Sequence, residues 1–314
     1  MARSVAFQMD PIDGVDINAD SSFVLALEAQ ARGFDVFVYG PKELSYIDGQ
    51  VIAAARPVSL RRKTGDHVTF GKTQRLDLSA LDVVMMRQDP PFDLSYISAT
   101  HLLERIHPKT LVVNDPASVR NAPEKLFVTL FPELMPPTLI TYSMAAIKEF
   151  YREHQDIIVK PLYGNGGAGV FHIKPGDDNL ASLIELFERF LNEPLMVQRY
   201  IPEVRHGDKR IILVNGEPVG AINRVPPPDD ARANMHAGGR AEAAGLSARD
   251  KAICATIGPA LRDQGQIFVG IDVIGEYLTE INVTSPTGLQ EIARFDGSDP
   301  AGQIWDVVEQ KLAG

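Results

Sequence analysis

Between residues 157 and 173 the chain reads as strand, glycine-rich loop, strand. Ile157 to Leu162 is apolar and extended in character, Gly164-Asn-Gly166-Gly167-Ala-Gly169 follows, and Val170 to Ile173 is strand-like again. The spacing Gly164-x-Gly166-x-x-Gly169 has the form of a dinucleotide-binding fingerprint. That fingerprint needs a helix opening at its last glycine, so that the helix N-terminus faces the pyrophosphate. A strand follows here, which excludes a Rossmann-type site. No Gly-Lys-Ser/Thr follows either, which excludes a Walker A loop. A glycine-rich hairpin remains, with Lys160 on its incoming strand. Glycines let backbone N–H groups approach a phosphate closely, and a lysine beneath them supplies a point charge. A plain hairpin turn with a surface lysine is the alternative that these residues alone leave open.

The chain begins β-α-β. Ser4 to Met9 is a strand, Asp20 to Ser22 offer caps for a helix ending at Gly33, and Phe34 to Tyr39 is the next strand. This order predicts a parallel sheet at the start. Residues 47–75 read as short strands and loops. Leu81 to Met86 is a buried strand ending in Arg87-Gln-Asp-Pro-Pro, a polar cluster where open α/β sheets hold ligands. Leu111 to Asn114 is a further strand. From about residue 122 the pattern changes. A short helix is predicted over Glu124–Phe131, longer ones near 143–154 and 179–191, and a strand at Leu195–Tyr200. Asn215-Gly216 marks a hairpin, and Ser247 with Asp250 a capping box for a helix ending near Gly265. A C-terminal helix carries Trp305, expected against the core or a neighbouring subunit.

The hairpin Ile267–Ile274 and Tyr277–Val283 carries Asp272, Glu280 and Asn282. These offer only oxygen donors, the set suited to Mg²⁺ shared with nucleotide phosphates. Glu280 and Asn282 are two apart and share a face. Asp272 joins that face only if the connection holds an odd number of residues, and a two-residue turn at Gly275-Glu276 would turn it away. A metal site therefore predicts an odd loop. A solvated polar face is the alternative.

The formal net charge is −10, so the chain has no global attraction for nucleic acid or anionic lipid. One cysteine, Cys254, excludes an internal disulfide and a cysteine-based zinc site; it sits in an amphipathic helix and reads as core. The N-terminal segment lacks a signal-peptide core, and no run approaches the ~20 apolar residues of a membrane span. A cytoplasmic, soluble protein is expected.

Several segments together resemble one family. Lys125 in NAPEKLF, Lys160 with its glycine loop, and Asp272, Glu280 and Asn282 are similar to the ATP-grasp ligases. Within these, MDPI at 9–12, DSSF at 20–23, EAQARG at 28–33, RQDPPFD at 87–93, GDKR at 207–210 and TEINVTSPTG at 279–288 resemble prokaryotic glutathione synthetases. The likeness runs through the whole chain. It implies an α/β fold with an N-terminal parallel-sheet domain (1–121), followed by a central ATP-grasp subdomain (122–202) and a C-terminal one (203–314) with a lid at 226–240. It implies ligation of γ-glutamylcysteine and glycine with ATP as co-substrate, two Mg²⁺ ions (Mn²⁺ as substitute) and an acyl-phosphate intermediate. No nucleic-acid or membrane partner is implied, and a homo-oligomer, dimer or tetramer, is.

By the same resemblance, Lys125 and Lys160 hold ATP phosphates beneath Gly164, Gly166 and Gly167. The backbone of Gln198, Tyr200 and Ile201 reads adenine, and Asp208 lies near the ribose. Arg210 and Lys160 are the catalytic candidates, with Arg210 on the transferred phosphoryl group. Arg87, Arg224, Arg232, Asn234, Gly239, Ser285, Pro286 and Thr287 serve the peptide substrate, and Asp272, Glu280 and Asn282 the metals. His236 lies in the lid. Another ATP-grasp carboxylate–amine ligase, of the D-alanine–D-alanine or glutamate-adding kind, and a non-catalytic ATP-binding protein are the alternatives.

Overall fold

The computed structural model describes residues 3–227 and 238–314. The first sheet has a parallel centre in the order Asp35–Tyr39, Ser4–Gln8, Val83–Met86, Leu111–Val113. Helices Ser21–Ala31 and Leu94–Glu104 cover it, each started by an aspartate cap: Phe23 N–H donates to Asp20, and Tyr96 N–H donates to Asp93. The chain leaves the Ser4–Gln8 strand toward one neighbour and later returns on its other side. The crevice beyond the C-terminal ends of Ser4–Gln8 and Val83–Met86 is therefore a topological switch point. Gln8, Arg87 and Gln88 lie there, all buried.

The parallel centre expected from the opening β-α-β pattern is extended by antiparallel strands. Residues 47–75, expected as short strands and loops, contain the long strand Gln50–Leu60. It pairs antiparallel with Asp35–Tyr39 and carries Leu44–Ile47, Val68–Phe70 and Gln74–Asp77 along its length. Val51, Ile52, Ala53 and Ala55 form a nearly continuous buried run, so period-two alternation could not announce this strand.

The second sheet is antiparallel, in the order Phe171–Ile173, Ile157–Pro161, Leu195–Arg199, Thr138–Thr141. Helices Met144–His154 and Leu180–Phe190 close its own small core around Ile147, Val159, Ile184 and Val197. The predicted helix over 124–131 is one α-helical turn, Glu124–Phe127, continued as a 3₁₀ turn to Leu130.

The third sheet is also antiparallel, in the order Arg240–Ala243, Glu217–Val225, Asp208–Val214, Phe268–Ile274, Tyr277–Asn282. Asn215 and Gly216 both take positive φ (49° and 84°), as a tight hairpin turn demands. Gly216 is also pressed on the helix Ala248–Asp263: a Cβ there would sit 2.4 Å from Gly258 O. The Ser247–Asp250 capping box starts that helix as expected. The last helices, Leu289–Asp296 and Pro300–Ala313, pack on the helix Ser21–Ala31, the first also against Glu217–Val225 and Arg240–Ala243 and the second against Asp208–Val214 and Leu111–Val113. Trp305 is fully buried in this chain's own core, its Nε1 donating to Leu25 O (2.9 Å) and its ring 4.9 Å from Phe34. Among the described residues no helix is long and apolar enough to cross a membrane. Arg232, Asn234 and His236, expected in a lid, lie outside the described residues; Gly239 is partly buried just before the strand Arg240–Ala243.

Candidate active site

The second and third sheets enclose a cleft of about 880 Å³, counting its open mouth. Lys160 enters from the strand Ile157–Pro161, Lys125 from the turn Glu124–Phe127, and the glycine loop forms one wall. Gly166, Gly167 and Gly169 all take positive φ (60°, 80° and 72°), a conformation other residues adopt at a cost. Both lysines are buried, and both Nζ atoms stand 3.7 Å from Glu280 Oε1. Lys125 also pairs with Glu124 Oε1 (2.6 Å) and donates to Gly164 O, which ties the short helix to the glycine loop. Glu124 is a member of the cleft that sequence reasoning missed, although it adjoins Lys125 in NAPEKLF.

Across the cleft the strand register builds an ion ladder. Asp208 pairs with Arg224 and Arg210 with Asp272 across neighbouring strands, and Asp208 and Arg210 share a face two residues apart. Arg210 grips Asp272 by two contacts, Nε to Oδ1 (2.6 Å) and Nη2 to Oδ2 (3.1 Å). Arg224 Nη2 bridges Asp272 Oδ2 (3.0 Å) and Asp208 Oδ2 (2.6 Å). Burial works to raise the Asp272 carboxyl, but Arg210 and Arg224 outweigh it and hold the group well below the carboxylate range. Burial pushes Asp208 up to about 7; Arg224 opposes this, and the nearby Asp272 and Glu280 add to it. Among the described residues, Asp208 Oδ1 has no partner. Asp208, expected near the ribose, lines the cleft beside Asp272 and Glu280. Burial lowers Lys160, with Glu280 opposing, whereas for Lys125 the pull of Glu280 and Glu124 overcomes burial and raises it.

The metal candidates come together by a route that differs from the expected one. The turn has two residues, with Ile274 opposite Tyr277, so the loop is not odd. A β-bulge supplies the odd count instead: Val273 faces Leu278, Asp272 faces Glu280, and Thr279 is the extra residue. Thr279 Oγ1 donates to Asp272 O (3.0 Å), fastening the bulge. Asn282 lies two residues from Glu280 on the same strand, and among the described residues its Nδ2 has no partner. Asp272, Glu280 and the Asn282 amide bring oxygen donors to one face, and such a donor set fits a hard divalent cation. Among the described residues no group of three or more His, Cys, Asp or Glu forms a self-sufficient cage.

One side of the cleft is lined by Ile201, expected there, and by Ile158, Val204 and Ile274, apolar positions that sequence reasoning did not single out because buried structural positions carry the same residue types. Gln198 is tied by Nε2 to Thr138 Oγ1 (3.0 Å). Of the expected hinge, the Tyr200 N–H already donates to Asp156 O (2.9 Å), and its ring stacks on His172 at 3.9 Å. That N–H is therefore not a free group for reading a base.

Ser285, Pro286 and Thr287 lie between two arginines. Arg210 Nη1 reaches Thr287 O (3.4 Å), and Arg87 Nη2 donates to Pro286 O (3.0 Å). Arg87, expected to serve the peptide substrate, is buried, with Nε donating to Ser22 Oγ (3.0 Å) and, among the described residues, no partner for Nη1.

This arrangement has counterparts in known proteins. The family model described as the N-terminal domain of prokaryotic glutathione synthetase matches residues 4–120, and that of its ATP-grasp domain matches residues 124–297. A glutathione synthetase of Agrobacterium fabrum is 59% identical over 98% of this chain and 97% of its own length. One from Brucella melitensis is 59% identical over 99% of this chain and all of its own. Among solved structures, a D-cycloserine synthetase superposes with a TM-score of 0.70 at 16% identity, covering 98% of this chain and 99% of its own. A D-alanyl-alanine synthetase A from Vibrio cholerae gives 0.62 at 15% identity, with complete coverage of both chains. These two share the α/β ATP-grasp fold. With both family models matched in succession and near-complete coverage of close relatives, the chain belongs to the prokaryotic glutathione synthetase family.

Proposed function

We propose that the chain performs its family's ATP-dependent glutathione synthesis with the residues gathered in this cleft, joining γ-glutamylcysteine to glycine and releasing ADP and phosphate. The observation that carries the site assignment is the convergence of Lys125, Lys160, Asp208, Asp272 and Glu280 on one cleft beside the glycine loop, with Arg210 and Arg224 paired to its two aspartates. A carboxylate is a poor electrophile. Its oxygen attacks the γ-phosphorus of ATP, the bond to ADP breaks, and an acyl phosphate forms. The glycine amine then attacks the carbonyl carbon, phosphate departs with the C–O bonding pair, and the amine loses a proton. Such chemistry needs positioning and neutralisation of phosphoryl oxygens more than a protein nucleophile.

Lys125 and Lys160 hold the phosphates, and the planar guanidinium of Arg210 meets two oxygens of the transferring group or the tetrahedral intermediate. Arg224, Ser285, Pro286 and Thr287 orient the peptide end. Asp272, Glu280 and Asn282 would hold Mg²⁺, two ions in this reading with Mn²⁺ as a substitute, and the metal supplies charge neutralisation on the phosphates. Residence in the cytoplasm and assembly as a homodimer or homotetramer rest on the family likeness alone. The other ATP-grasp ligases share the nucleotide residues but not DPPFD together with TEINVTSPT, and a non-catalytic binder has no use for Arg210 and three metal donors.

Hydroxylamine trapping tests the intermediate. With Mg-ATP and γ-glutamylcysteine but no glycine, hydroxylamine should yield the cysteinyl hydroxamate and ADP together. ADP without hydroxamate would contradict an acyl phosphate at this carboxylate.

A further inference from the structure

The open end of the metal-bearing hairpin is held by a side chain from the other sheet. Ladder pairing between Phe268–Ile274 and Tyr277–Asn282 ends at Gly270 and Asn282. Beyond it, Asn114 at the end of the strand Leu111–Val113 takes over. Its Nδ2 donates to Phe268 O (2.7 Å) and to Val283 O (2.9 Å), and its Oδ1 accepts from Phe268 N–H (2.8 Å). These three side-chain bonds go to the backbone of the hairpin that carries Asp272, Glu280 and Asn282, and Asn114 is buried. Arg87, at the end of the adjacent parallel strand, completes the contact. Its guanidinium lies 5.0 Å over the Phe268 ring, its Nη2 holds Pro286 O, and its own carbonyl accepts from Ser285 Oγ (3.3 Å). Phe268 is thus held through its backbone by Asn114 and through its ring by Arg87.

We infer that Asn114, supported by Arg87, is a positioning residue for the reaction: it fixes the spacing of the two hairpin strands at their open end, and with it the placement of Asn282 and the Ser285–Pro286 segment. This inference rests on the function proposed above. The chemistry is specific to a carboxamide. Aspartate has the same shape but would turn a carboxylate oxygen toward two carbonyl oxygens, and serine is too short to span both strands. The side of the cleft lined by Ile201 and Ile274, with the expected adenine-reading residues, lies on the other strand ends and is untouched by this clamp.

The test is steady-state kinetics of Asn114→Asp and Asn114→Ser beside the wild-type enzyme, with folding checked by circular dichroism and melting. Loss of such supporting contacts typically costs about 10–100-fold. The expected result is a fall of that size in kcat/KM for γ-glutamylcysteine, while ADP binding measured without metal stays within about twofold. A folded variant with kcat/KM within about twofold of wild type overturns the inference, as does an equal loss of ADP affinity. Failure of both variants to fold would also overturn it, since Asn114 would then serve the fold alone. Wild-type enzyme that forms no tripeptide would instead remove the functional reading beneath it.

Discussion

Asp272 and Glu280 face each other across a hairpin whose two-residue turn would by itself place them on opposite faces. Thr279 reconciles the two: as the unpaired residue of a bulge, it shifts the register by one before Glu280 is reached. Deleting Thr279 should close the bulge into regular pairing with Glu280 still opposite Asp272, so both carboxylates stay on one face. Turnover should persist in the folded deletion variant, with folding read from the far-UV circular dichroism spectrum. Thr279→Val keeps the residue count and loses only the hydrogen bond to Asp272 O, so it should cost about 1 kcal/mol of stability and leave most activity. Loss of turnover in the folded deletion variant, with activity kept in the valine variant, would sink the register argument.

Lys160→Ala and Glu280→Ala remove opposite charges that stand 3.7 Å apart in the cleft. Each should lower kcat by at least about 10²-fold, the scale for losing one group that stabilises developing charge. Phosphate release assays on the folded variants check this. Near-normal turnover in both would remove the phosphate and metal roles assigned here.

Asp208 carries the clearest pH signature. Its carboxyl, raised by burial to about 7, binds a proton more tightly in the folded chain than in the unfolded one. Its contribution to stability is therefore complete below the unfolded value near 3.8 and is lost as pH rises through about 7. Asp208→Asn should flatten this part of the stability profile between those limits, read from denaturant midpoints at a series of pH values. An unchanged slope would contradict the assignment. Asp272 runs the other way: held low by Arg210 and Arg224, it adds stability above the ordinary carboxylate range that is lost on acidification.

Cys254 is buried in the helix Ala248–Asp263, and burial pushes its thiol up to about 12. The thiolate is the reactive form, so native enzyme should resist iodoacetamide at pH 8 and react only when unfolded. Rapid labelling of native protein with loss of activity would point to a role that the fold does not suggest.

Much of this site was legible because its chemistry sits on short-range patterns. The glycine loop between two strands, the Asn215-Gly216 turn and the Ser247–Asp250 cap each act within a few residues, and each forms as its local chemistry requires. What escaped depends on partners distant in sequence. The bulge at Thr279 exists only in the pairing of two strands, and threonine is an ordinary strand residue. The strand Gln50–Leu60 is buried in runs that hide its period. Arg87 and Asn114 look like polar residues at strand ends, the usual place for ligand contacts, yet their partners lie more than 150 residues away, at Phe268, Val283 and Pro286. Apolar residues such as Ile158, Val204 and Ile274 line the cleft with side chains that equally suit a core.

The most direct test is to follow ADP and peptide together, with Mg-ATP, γ-glutamylcysteine and a panel of amines, identifying the product by mass. The account predicts that ADP release requires both γ-glutamylcysteine and glycine, and that glutathione appears in equal amount. ADP release indifferent to γ-glutamylcysteine, or coupled to a different acid or amine, would contradict it.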